Sequence, residues 1–316
     1  MSALGRRKLG PAEQVRAALV ARRFFFEAKA KTEIAEEFGI SRFKVAQILE
    51  EAREQGIVRI EVNLPAELDA DLSVDLGRVF GLRHALVVAT PEGDDTTLRE
   101  QLGRTAAGLL TEIISGEDVL GVGWGRTLDA MADSLESLES CNVVQMTGVI
   151  GSVPQTSVEL VRRIASVSGG RAYPIYAPLF YDDVTTLGGI SRQPTIASAL
   201  RQFPSITIAI VAIGSWDPPD SRVYDGLPPA ERDRLKAMGA RAEICGSFID
   251  DDGNRVPAPL SDRTLAIRLD QLRHAGEIIG VAGGRRKTAA IRAILVGRHV
   301  TSLVTDVAVA MELLGR

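Results

Sequence analysis

The chain has 316 residues, 45% of them hydrophobic, and a formal net charge of −4, which is room for a small domain plus a full-sized one. Its longest apolar runs, such as residues 206–213, are too short to cross a bilayer, so no membrane partner is expected. Its three histidines (His84, His274, His299) and two cysteines (Cys141, Cys245) match no metal-ligand spacing and read as structural side chains and buried free thiols. The opening MSALGRRKLG is basic but has no apolar core behind it, unlike a secretory signal. A cytoplasmic protein with no metal and no cofactor is the expectation.

In chain order, residues 11–27 predict a first helix, with Phe24, Phe25 and Phe26 packing it against its neighbours. Residues 31–55, KTEIAEEFGISRFKVAQILEEAREQ, read as two short helices joined by a tight turn. Ile34, Ala35 and Phe38 give the first an apolar face. Gly39 suits a left-handed helix exit, and Ser41 suits the N-cap of the next helix. Val45, Ile48 and Leu49 then recur at helical spacing. Arg42, Phe43, Lys44 and Gln47 point outward between them and are side chains that meet phosphates and base edges. Thr32 and Ser41 stand at the two helix starts, where phosphate contacts form. One packed face and one free face is the pattern of a helix-turn-helix. Its plainer alternative is an ordinary helical hairpin. Charge favours the DNA reading: residues 1–60 hold 12 Lys and Arg against 8 Asp and Glu, a net of +4, while the rest of the chain is −8. Residues 57–62, IVRIEV, alternate like a strand and could form a wing. The boundaries expected are a DNA-binding head over 1–63, a linker and connecting helix over 64–83, and a body over 84–316.

From residue 84 short apolar runs alternate with helical segments. Apolar runs fall at 85–89, 119–122, 142–146, 206–213, 278–281 and 302–305. Helices are expected at 97–114, 127–138, 157–168, 229–238, 287–295 and 307–314. This alternation predicts a Rossmann-like, mostly parallel α/β body with helices on both faces. Residues 246–259 look like a hairpin or an irregular insertion. In such sheets ligands sit beyond the carboxyl ends of the strands, and this chain has three glycine-rich exits there. The first is Gly123-Trp124-Gly125-Arg126-Thr127. The second contains Gly148 and Gly151. The third runs Gly283-Gly284-Arg285-Arg286-Lys287. Glycines let backbone approach a ligand, helix-start N–H groups cradle anions, and Arg126 and Lys287 add charge. None of the three completes a dinucleotide or P-loop fingerprint. Asp217, Asp182 and Asp262 are candidates to accept sugar hydroxyls, beside Phe180, Tyr181, Trp124 and Trp216 as aromatic surface. Core packing is the plainer role for each aromatic.

Taken together, AEEFGISRFKVAQILEEAREQGIVRIEV, GVGWGRTL, APLFYDD, AIVAIGSWD, AEICGSFIDDDG, SDRTLAI, VAGGRRKTAAIRAIL and LVTDVAVAMELL resemble, in order and over nearly the whole chain, the SorC family of bacterial sugar-responsive transcriptional regulators. The resemblance implies a helix-turn-helix followed by an effector domain related to phosphosugar isomerases and deaminases. It also implies a phosphorylated sugar as inducer or co-repressor, and a homotetramer on DNA. It places phosphate contacts on Gly125, Arg126, Thr127 and Lys287. Trp124 and Arg126 stand where some members carry Ser or Gly. The leading expectation is thus a regulator of a carbohydrate-catabolism operon that reads a palindromic double-stranded operator. An enzyme with a DNA-binding appendage is the second, although no histidine stands at any glycine-rich exit. A body that only oligomerises is the third.

Overall fold

The computed structural model describes residues 9–60, 68–89, 94–150 and 157–316. They fall into two compact units that divide at Leu64 and Pro65.

The first unit is a bundle of three helices, Pro11–Phe25, Lys31–Phe38 and Arg42–Glu54. Each boundary has a local cause. The Ala30 N–H donates to Glu33 Oε2 at 2.7 Å, which fixes the start of the second helix. Gly39 ends it at φ +62°, a conformation that strains any residue with a Cβ, while the Ile40 N–H donates back to the Ala35 carbonyl. Ser41 Oγ then accepts from the Lys44 N–H at 3.1 Å and caps the third helix. Ile34 and Ala35 pack with Val45, Ile48, Leu49 and Ala52, and with Ala17, Val20 and Ala21 of the first helix.

Two expectations are corrected here. Of the phenylalanine triplet only Phe24 joins this core. Phe25 is exposed and Phe26 is 88% exposed, because successive residues on a helix point about 100° apart and cannot share one face. Residues 57–60 form no strand. The Val58 N–H instead donates to the Ala52 carbonyl, and Ile57 and Val58 fold back onto the bundle core. The remainder of the expected wing, with Val62, and the start of the linker, with Pro65, lie outside the described residues.

In the second unit the described residues form eleven strands: β1 (Ala85–Val88), β2 (Val119–Val122), β3 (Asn142–Gln145), β4 (Ala172–Tyr173), β5 (Ile208–Ala212), β6 (Gly214–Trp216), β7 (Pro219–Asp220), β8 (Ala242–Ile244), β9 (Ser247–Ile249), β10 (Glu277–Val281) and β11 (Ser302–Asp306). Seven of them make one sheet in the order β1-β11-β10-β5-β2-β3-β4, and every pairing in it is parallel. Its strands are apolar on both faces. Ile208 and Ile210 of β5 enter the core under helices Asp95–Ile113, Arg126–Ser134 and Ser157–Ser168, whereas Ala209 and Val211 enter the core on the other side. The helix expected to connect the two units, Ala70–Phe80, is built into that second core through Leu72 and Leu76.

The strand order reverses between β2 and β5. From β2 the chain steps outward through β3 and β4; from β5 it steps the opposite way through β10 and β11. That is a topological switch point, where two crossovers diverge and leave a crevice at the strand ends. The run at 206–213 also does more than one strand's work. After Ala212 the chain leaves the parallel sheet and enters a four-stranded antiparallel one, β7-β6-β8-β9. The hairpin expected at 246–259 belongs to it but begins earlier, with β8 and a tight turn at Cys245 and Gly246. A third apolar cluster beneath this sheet holds Trp124, Trp216, Phe248 and Leu179.

Candidate functional site

In the three-helix unit Thr32, Ser41, Arg42, Phe43, Lys44 and Gln47 are all exposed, Phe43 at 81%. The opposite side of helix Arg42–Glu54 is spent on the core, so its outward row is continuous. Lys44 Nζ donates to Gln47 Oε1 at 3.1 Å, and Gln47 Nε2 donates to Glu51 Oε1 at 2.8 Å. This row can present donors and a cation to a groove without disturbing the bundle.

In the second unit a cavity of about 150 Å³ lies at the carboxyl ends of β2, β5 and β10, at the switch point. The exit from β2 supplies Gly123, Trp124, Gly125, Arg126 and Thr127, and the exit from β10 supplies Gly283, Gly284, Arg285, Arg286 and Lys287. Gly125 has φ +155°, and a Cβ there would stand 2.7 Å from the Ala212 Cβ, so the strand ends come together only over a glycine. Trp124 is 9% exposed, its ring part of the third core and 6.0 Å from the Arg222 guanidinium.

Charge in the cavity is dense and internally paired. Arg126 Nη2 donates to Asp220 Oδ1 at 2.5 Å. Lys287 Nζ is 3.6 Å from Asp220 Oδ2 and donates to the Ile213 carbonyl at 3.0 Å. Burial pulls the Lys287 ammonium below its usual range, opposed chiefly by the Asp220 carboxylate. Arg222 pairs with Asp129 at 3.2 Å, and burial still raises that carboxyl above its ordinary value. Glu243 is buried. It accepts from the Gly246 N–H at 2.6 Å and from Ser221 Oγ at 3.3 Å, and burial lifts its carboxyl to about 7 against those hydrogen bonds and Lys287.

Gly123, Trp124, Gly125, Arg126, Thr127 and Lys287 therefore share one cavity. The structure puts four other candidates elsewhere. Gly148 serves a close backbone approach: its N–H donates to the Leu265 carbonyl, and a Cβ would stand 2.5 Å from the Pro178 carbonyl oxygen. Phe180 packs against the third core. Asp217 faces Lys236 at 3.4 Å and Arg241 at 3.8 Å. Asp262 lines a separate, wider depression together with Arg255 and Arg268. Gly151 lies outside the described residues. The sequence pattern missed Asp220, Ser221, Arg222 and Glu243, which reach the cavity from the antiparallel sheet and the helix after it, and Asp95 and Arg99, which reach it from helix Asp95–Ile113. Among the described residues no group of His, Cys, Asp or Glu side chains could hold a metal ion, and no helix is long and apolar enough to cross a membrane.

A helix-turn-helix unit with an exposed basic row, followed by a parallel α/β unit with a cation-lined cavity at its switch point, defines a ligand-responsive DNA-binding protein. Residues 65–315 match the family model described as "Putative sugar-binding domain". Over 302 residues the chain is 32% identical to the uncharacterized transcriptional regulator YjhU of Escherichia coli (strain K12), covering 92% of each chain. It is 28% identical to the sorbitol operon regulator of Klebsiella pneumoniae, covering 91% of this chain and 93% of that one. The crystal structure of full-length SorC, the Klebsiella pneumoniae sorbitol operon regulator, superposes with a TM-score of 0.73 at 26% identity, covering 96% of this chain and 99% of that one. The chain belongs to the SorC family of sugar-responsive transcriptional regulators. Its class is that of regulators and not of enzymes, and the isomerase or deaminase reading is set aside.

Proposed function

We propose that the chain controls a carbohydrate-catabolism operon through a phosphorylated sugar held in the switch-point cavity. What supports this reading is the convergence of Arg126 and Lys287, on two separate glycine-rich helix starts, with Arg222, Arg285 and Arg286 around one cavity. The phosphate sits against Gly125, Arg126, Thr127 and Lys287. Helix-start N–H groups and fixed cations are the donors such a group needs. Glu243 and Ser221 meet sugar hydroxyls from the facing sheet. Helix Arg42–Glu54 enters the major groove, where Arg42, Lys44 and Gln47 read base edges, and Thr32 and Ser41 hold phosphates. Two such heads in a homotetramer read a palindrome, and the protein works in the cytoplasm. The sugar phosphate acts by binding one arrangement of the tetramer more tightly than another, and its influence on operator affinity cannot exceed that difference.

Calorimetric titration of the full chain with a panel of sugar phosphates and their unphosphorylated parents tests the effector class. At least one phosphate should bind, its parent far more weakly, and Arg126→Ala and Lys287→Ala should each weaken the phosphate. Equal binding of parent and phosphate would remove the phosphate from the reading.

A further inference from the structure

We infer that Asp220 is a built-in anion that holds the phosphate position of the cavity and is displaced when a dianionic ligand enters. The inference rests on the effector reading above and adds to it a rule of charge selection and a moving part. Asp220 is the shared partner of the two cations assigned to the phosphate: one carboxylate oxygen takes the Arg126 guanidinium and the other faces the Lys287 ammonium. Those cations come from the exits of β2 and β10, which β5 separates in the sheet. Asp220 comes from neither exit. It belongs to β7, a two-residue strand at the edge of the antiparallel sheet. Its flanking residues cross the same cavity. The Pro219 carbonyl accepts from Arg286 Nη2 at 3.5 Å, Ser221 Oγ donates to Glu243, and Arg222 reaches Asp129. Pro219–Arg222 thus straps the two helix starts together, and Asp220 is its charged anchor.

A carboxylate ligand that replaced Asp220 would leave the cations with the same charge opposite them and strand the Asp220 carboxylate, with no net gain. A phosphate monoester brings close to two charges and three acceptor oxygens, so it can outbid the carboxylate. The site thereby rejects monoanions that a plain cation pair would accept. Release of Asp220 frees the strap from Arg126 and Lys287. The effector then has contacts that differ between two arrangements of the body, the condition for a ligand to shift an equilibrium.

Inorganic phosphate and acetate, titrated into the full chain and into Asp220→Asn and Asp220→Ser, test this directly. Displacement predicts that both variants bind phosphate at least tenfold more tightly than the wild type, and that acetate binds the variants in a range where the wild type takes none. Phosphate binding that is unchanged or weaker in the variants overturns the displacement while leaving the anion site standing. Failure of both variants to fold makes Asp220 a structural ion-pair partner and overturns it as well. No phosphate binding by wild type or variants overturns both the displacement and the phosphate reading.

Discussion

The head and the body both carry cations, but in opposite states. Arg42 and Lys44 stand in solvent on one helix. Arg126, Lys287 and Arg222 stand around a cavity and already face carboxylates, Asp220 and Asp129. An exposed cation gains from a phosphate mainly by releasing counterions, so its contribution fades with salt. A paired cation gains only by exchanging one anion for another, which makes it selective, and Lys287 and Arg222, half-buried where Arg126 is exposed, are also less sensitive to salt. The head is therefore suited to strong, tunable attraction, and the body to discrimination.

The comparison breaks most sharply in the body. Arg126→Ala with Lys287→Ala should lower sugar-phosphate affinity at least a hundredfold, since each charge-assisted contact contributes about 1.5–3 kcal/mol. Operator affinity of the double variant should no longer respond to sugar phosphate, and calorimetry beside DNA binding checks both. In the head, Arg42→Ala should weaken specific operator binding by about 1–3 kcal/mol and leave effector binding intact. It should also flatten the salt dependence, which the same body substitutions should not. Unchanged operator affinity in Arg42→Ala would remove that side chain from the base-reading row.

Smaller effects test the frames that hold these groups. Gly39→Ala, at φ +62°, should destabilise the head by about 1–2 kcal/mol, visible as a lower melting transition and weaker operator binding with effector affinity kept. A further test is a pH dependence. The Glu243 carboxyl has an ordinary value of 4.5 and is lifted to about 7 by burial. The folded state therefore holds its proton where the unfolded chain has lost it, and the fold loses stability as pH rises from 4.5 through about 7. Glu243→Gln lacks that proton. Melting curves should find the variant gaining on the wild type as pH rises across this window, and a constant gap would contradict the buried carboxyl.

The same contrast explains how much was legible in the sequence. The head's row is local: Ser41 to Gln47 lie within two helical turns, and Gly39 and Ser41 mark the turn by their own chemistry. Gly123 to Thr127 and Lys287 were legible for a similar reason, since a glycine pair at a strand end leading into a cationic helix start is a short-range pattern. Gly148 carried the same pattern for another cause, the close approach of the Pro178 backbone, which no single segment can reveal. Asp220 and Glu243 were not legible. They sit on strands of two and three residues, too short for alternation to register, and only the crossing of the second sheet brings them to the cavity. The described part of the strand expected over residues 57–62 shows the reverse error. Alternating residues suffice for a strand only when a partner strand exists, and at residues 57–60 the backbone turns back to the Ala52 carbonyl instead.

The most direct test is operator binding by the full chain, measured by fluorescence anisotropy on the DNA upstream of its own gene, at two salt concentrations, with and without sugar phosphates. The account predicts sequence-preferring binding that weakens with salt and that at least one sugar phosphate alters in the wild type, but not in the Arg126→Ala, Lys287→Ala double variant. Specific binding that no sugar phosphate changes, or that changes equally in the double variant, would contradict control through the switch-point cavity.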